Sequence, residues 1–135
     1  MIVRRFPLRG WQDVDTARAA LVREPVDGLL VLVDRVTAAH RANFIQSADQ
    51  LRLPAVSGPR YFVDDGGLMS YGIDWPIPLL GTADPLVRIL DGAKPSDLPV
   101  QRPTRFYLVL NQQTSKALGL ALPRSLLLQA TEVVE

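Results

Sequence analysis

Apolar positions along the chain fall into short blocks, and the spacing within each block predicts a different element. From Trp11 to Arg23, the residues Val14, Ala17, Ala20 and Leu21 recur at three- and four-residue intervals. That spacing predicts a short amphipathic helix, capped by Asp13 and closed by Pro25. Leu29 to Val33 is a continuous run of Leu and Val, too short for a helix and apolar on both faces. It reads as a strand buried on both sides, the mark of a parallel sheet covered by helices. A second helix is predicted from a Thr37 cap to about Leu51, with Phe44, Ile45, Ala48 and Leu51 on one face, and Pro54 to Val56 is the next strand. With Met1 to Phe6 read as an edge strand, the order is strand, helix, strand, helix, strand. Right-handed parallel α/β units are built from that alternation.

Beyond Ser57 the pattern breaks into smaller pieces, as Gly58, Pro59, Asp64, Asp65, Gly66 and Gly67 crowd turn residues around Tyr61 to Val63 and Leu68 to Tyr71. Both pieces read as brief strands between loops. Pro76, Pro78, Gly81 and Pro85 predict irregular chain from Asp74 to Pro85, since an interior proline costs a helix roughly 3 kcal/mol. A short helix at Leu86 to Leu90, a polar connector from Lys94 to Pro103 and a strand at Phe106 to Leu110 follow. A helical turn capped by Thr114, Ser115 to Leu118, and a last helix at Ser125 to Ala130 complete the chain.

Composition narrows the picture. At 135 residues with 47% hydrophobic and 21% charged side chains, the chain is long enough for one packed domain and too apolar for a disordered tail. It has no cysteine, which excludes a disulfide framework and a cysteine zinc site. Fifteen basic against 14 acidic side chains, without a run of either, give no footprint for a phosphate backbone, and nucleic acid is not an expected partner. No apolar stretch reaches the 18 to 20 or so residues of a membrane span. The arginines of Met1 to Gly10 interrupt any apolar block of a secretory leader, so no export signal is read there.

Candidate chemistry is sparse. His40, the only histidine, has no acidic neighbour in sequence and reads as a surface or packing residue, and no metal or cofactor is expected. Ser57 lacks the frame of a nucleophile elbow, and adjacent Asp64 and Asp65 point apart in an extended segment. Position says more: in open α/β sheets ligands sit beyond the carboxyl ends of parallel strands, and the residues there are Asp34, Ser57, Ser70 and Tyr71. A carboxylate, hydroxyls and an aromatic face suit a small zwitterion. The same residues also serve as a helix cap, turn residues and a packing residue.

Three blocks of the chain resemble one family. They are GLLVLVDRVTAAHRANFIQSADQLRLPAVSG, GGLMSYGID and RILDGAKPSDLPVQRPTRFYLVLNQQTSKALGLALPRSLLLQATEVVE. Together they resemble the carboxyl-terminal part of ABC-transporter substrate-binding proteins of the tryptophan- and tyrosine-uptake-like group. The resemblance implies a type I periplasmic-binding-protein fold, with residues 1–73 as a Rossmann-like, three-layer second-lobe unit and residues 74–135 as hinge-crossing and terminal segments. It also implies a small solute such as an amino acid, an ABC permease as partner, hinge closure without a chemical step, and a periplasmic or extracytoplasmic location. A cytoplasmic location is expected instead if the chain has no leader. Against the family pattern, the first lobe and the opening βα unit of the second are missing, and WPIPLLGTADPL replaces a regular helix. The expectation is therefore a truncated or remnant receptor with one wall of its cleft. The alternative is an assembly protein without transport activity, whose uncovered apolar surface a homodimer or partner chain would bury. An enzyme using Asp34 with His40 lacks a nucleophile, a metal set and a cofactor loop.

Overall fold

The structure, a computed structural model, describes residues 2–73, 83–100 and 102–135. Helix α1, Gln12–Arg23, buries Val14 and Leu21 on one face, and places Asp13 and Asp15 in its first turn and Arg23 in its last, as the helix dipole favours. Asp13 is not the cap: it lies inside the first turn, where its carboxylate accepts a 2.7 Å bond from the Arg9 backbone and fixes the incoming chain. The expected edge strand at Met1–Phe6 is not formed over the described part, since Ile2–Phe6 joins no ladder and Ile2 is 91% exposed. Met1 lies outside the described residues.

Strand β1 is short, Leu29–Val31. The helix expected after it is divided at His40 into α2, Arg35–Ala39, and α3, Arg41–Gln50. Its cap is Asp34, not Thr37. The Asp34 carboxylate accepts from the Thr37 N–H at 2.8 Å, and the Thr37 hydroxyl accepts from the Asp34 N–H at 2.8 Å, a reciprocal capping box. Strand β2, Ala55–Ser57, leads into α4, Tyr61–Asp64, a helical turn where a strand was expected. The β-forming side chains of Tyr61, Phe62 and Val63 yield there to local backbone bonds: Phe62 N–H donates to Pro59 and Val63 N–H to Arg60, and Gly66 stops the turn at φ +102°.

Strand β3 is Met69–Ile73, and helix α5 is Ala83–Leu90. Of the segment expected to be irregular, 74–82 lies outside the described residues, while Ala83–Pro85 is helical. Pro85 is tolerated there because it stands in the first turn, where its missing N–H has no partner to lose. A single 3-10 turn, Pro95–Asp97, precedes β4, Phe106–Asn111. Asn111 caps α6, Gln112–Ala117, in place of Thr114, whose hydroxyl instead donates to the Gly66 carbonyl at 2.9 Å. Helix α7, Arg124–Gln129, follows Pro123, and β5, Glu132–Val134, is a strand the sequence pattern did not predict.

The five strands form one sheet in the order β1-β2-β3-β4-β5, parallel except where β3 meets β4 antiparallel. The α/β architecture with a mostly parallel sheet follows the expected parallel α/β lobe, the antiparallel β3–β4 pair being the departure, and through that pair residues before and after 74 share the sheet. Register divides the side chains between two faces. One carries Val31, Ala55, Ser57, Ser70 and Val109, and packs with Phe62, Ala48, Phe44 and Ile45 into the core. The other carries Leu30, Tyr71 and Phe106, which are 64%, 57% and 52% exposed, although Leu108 and Leu110 on it are buried. Burial of β1 on both sides is therefore not observed.

Candidate functional site

Because β1, β2 and β3 run parallel, their carboxyl ends share one margin of the sheet, and antiparallel β4 and β5 bring their starts, Phe106 and Glu132, to the same margin. The loop after β2 is the best-anchored part of it. Gly58 passes so close to Gly72 that a Cβ on Gly72 would stand 2.3 Å from the Gly58 carbonyl oxygen. The Tyr107 hydroxyl donates to that carbonyl at 3.2 Å and accepts from the Arg60 N–H at 2.9 Å. Arg60 then reaches β5 with its guanidinium fork on both carboxylate oxygens of Glu132, one of them at 2.8 Å, while its Nε donates to Asp64 at 3.2 Å. The hydrogen bonds from Arg60 hold Glu132 below the usual carboxylate range, and Glu132 raises Arg60 further above the ordinary arginine value. Beside this loop Arg41 lies over the Tyr61 ring at 5.1 Å and pairs with Asp65.

The four residues selected from position divide into two pairs. Asp34 is exposed at the end of the β1 segment, and the Thr37 backbone N–H in its capping bond holds its carboxyl below the ordinary aspartate value. It is therefore a fixed anion, already oriented by the helix it caps. Tyr71 is exposed on the open face and stacks on Phe106 with centroids 5.8 Å apart and planes inclined by 14°. Ser57 and Ser70 are brought side by side in register but lie on the covered face, 3% and 0% exposed. The Ser57 hydroxyl donates to the Val31 carbonyl at 3.0 Å, and Ser70 Oγ has no partner among the described residues. As placed, these two hydroxyls stand behind the margin, beneath α4, rather than on it.

Phe106, Tyr107, Arg60 and Glu132 were not selected from the sequence. Each depends on the antiparallel β3–β4 pairing or on β5, and the Phe-Tyr dipeptide opening a strand was the one local signal. His40 sits at the α2–α3 break, and the Asp34 carboxylate is engaged with Thr37 instead. Among the described residues no group of three or more acidic or histidine side chains could hold a metal ion, and no helix is long and apolar enough to cross a membrane.

The margin thus carries aromatic faces and a fixed anion, and no assembled nucleophile is present among the described residues. Comparison with known proteins identifies the family. A family described as ABC transporter substrate binding protein matches residues 3–134. An ABC domain from Streptococcus pneumonia, solved in complex with L-Trp, is similar with a TM-score of 0.87 and 26% identity over 99% of this chain and 46% of that one. A conserved domain protein from Vibrio cholerae gives a TM-score of 0.83 and 28% identity over 93% of this chain and 42% of its own. The ligand-free, open structure of an adhesive substrate-binding protein from Clostridium difficile shares the fold, with a TM-score of 0.66 and 24% identity over 94% of this chain and 42% of that one. The chain thus spans less than half the length of these solved structures. No curated protein sequence matches it.

Proposed function

This chain belongs to the family of ABC transporter substrate-binding proteins, and we propose that it is one wall of a solute receptor that takes an amino acid or similar small solute at the strand-end margin. The observation that carries the reading is the exposed Tyr71–Phe106 stack on the same sheet margin as ionised Asp34. β1 and β3 are two strand spacings apart, about 10 Å, which a small zwitterion with an apolar side chain can bridge. Asp34 receives the ammonium and the aromatic pair covers the apolar part. Ser57 and Ser70 act from behind, as buried residues that set the height of the strand ends. The solute is held and released with no bond made or broken. The L-Trp complex of a structural relative supports an amino acid as the solute.

In this reading the receptor works outside the cytoplasm and delivers to an ABC permease, and the opposing wall comes from sequence corresponding to the part of the relatives that this chain does not span. A single wall buries only part of a ligand, so affinity is low. Calorimetry of the purified chain with L-Trp and other amino acids should give a dissociation constant no tighter than about micromolar. Tyr71→Ala should weaken it at least about tenfold, equivalent to about 1.4 kcal/mol. A sub-micromolar constant for the monomer overturns the single-wall reading, and no saturable heat with any amino acid at millimolar concentration overturns the solute reading itself.

A further inference from the structure

We propose that Tyr107 is a positioning residue for solute binding, its hydroxyl holding residues 58–60 at the level where a solute can lie across the strand ends. The inference rests on the strand-end reading above and adds to it a side chain that touches no solute. In the sheet order β2 stands between β1 and β3. A solute that reaches from Asp34, beyond β1, to Tyr71 on β3 therefore crosses the end of β2, where the chain leaves the sheet as Gly58, Pro59 and Arg60. The level of that loop decides whether both contacts form at once: raised, it props the solute off one of them.

Gly72 and Tyr107 fix the level. They are register partners in the antiparallel β3–β4 pair, so they share the covered face, while Tyr71 and Phe106, one residue before each, stack on the open one. A glycine within a strand often marks a close approach of backbone, and the Gly58 backbone occupies the place of the missing side chain. A Cβ on Gly72 would stand 2.3 Å from the Gly58 carbonyl oxygen and 3.0 Å from its carbonyl carbon. Across from that glycine, the Tyr107 hydroxyl donates to the same carbonyl at 3.2 Å and accepts from the Arg60 N–H at 2.9 Å. One oxygen thus ties both ends of the tripeptide to β4. The Arg60 guanidinium is engaged separately with Glu132 and Asp64, a tether at the far end of a long side chain, which leaves the backbone level to the hydroxyl. The aromatic pair on one face and the fastening on the other are therefore built into the same stretch of ladder.

The test is Tyr107→Phe, which keeps the ring beside Gly72 and removes both bonds. Calorimetry with L-Trp should show the dissociation constant raised about tenfold, the order that one neutral hydrogen bond is worth. Amide exchange followed by NMR supplies a readout without ligand. The Arg60 N–H should exchange at least about tenfold faster in the variant, while the N–H groups of Leu29 and Asn111, bonded to the Pro54 and Leu68 carbonyls at 2.9 Å, keep their rates. Equal acceleration of all three amides, the signature of a loss of overall stability alone, overturns the proposal. So does an unchanged L-Trp constant in the variant of a parent that binds, or Arg60 protection that survives the loss of the hydroxyl. A parent that gives no saturable heat with L-Trp or any other amino acid instead overturns the solute reading, and the exchange rates still decide whether Tyr107 holds the loop.

Discussion

The two faces of the sheet divide labour. On the covered face, Val31 and Ala55 meet Phe62, which is 1% exposed, and the buried polar residues there include Ser57, Ser70 and Asn111. On the other, Leu30, Tyr71 and Phe106 remain largely in water although they are as apolar as the core. Hydrophobic residues left open in a connected region usually mark a surface that binds. Cohesion therefore centres on the covered face, joined by Leu108 and Leu110 on the other, while the proposed recognition falls to the exposed part of that second face, so substitutions at Phe62 and Tyr71 should behave differently.

The sharpest contrast comes from Phe62→Ala. Removing a ring at the centre of the covered face should lower unfolding free energy by about 3–5 kcal/mol, read from the midpoint of a urea titration. A loss below about 1 kcal/mol would show that the covered face is not the cohesive one. Tyr71→Ala makes the complementary change on the open face. It should lower stability by only about 0.5–1.5 kcal/mol, the range of an aromatic pair, while weakening solute binding. A destabilisation equal to that of Phe62→Ala would erase the division.

The smallest effect concerns the margin between the faces. Glu132 is held below its ordinary value of 4.5 by Arg60, so its contribution is present at neutral pH and is lost as the pH falls through its lowered folded value. Glu132→Gln should flatten the acid side of a plot of melting temperature against pH, below the ordinary value of 4.5, without altering the neutral baseline's shape. An unchanged acid slope would mean that the Arg60 fork contributes nothing to folding.

Much of this division could be read before the structure, and what could not be read has a common cause. The helices at residues 12–23 and 41–50 and the strands at 29–31, 55–57, 69–73 and 106–111 have local signals, periodic apolar spacing or short runs of Val, Leu and aromatic residues. β5 had none: Glu-Val-Val is too short to show alternation, and it becomes a strand only because β4 pairs it. Tyr61–Val63 misled because intrinsic β preference is weaker than the turn set by Pro59 and Gly66. Asp34 follows β1 and Ser57 ends β2 as expected, whereas Ser70 and Tyr71 lie inside β3, which runs on to Ile73 because β4 pairs it that far; nor does sequence position say which face a side chain takes. That depends on register, and register put the serines inside and left Tyr71 exposed, while Asp34 lies beyond the paired residues as a helix cap.

The anchoring of the loop after β2 also bears on the order in which the molecule takes shape. Its fasteners are far away in sequence: Tyr107 closes onto Gly58 across 49 residues, and Glu132 onto Arg60 across 72. Contacts of such long range form only after the entropy of closing a large loop has been met. During synthesis the strands before residue 74 can pair early, yet the margin they end on stays unshaped until residue 107, and then residue 132, has emerged. The margin is thus the later-maturing part of this chain, and a chain caught midway would hold paired strands whose ends are not yet fastened.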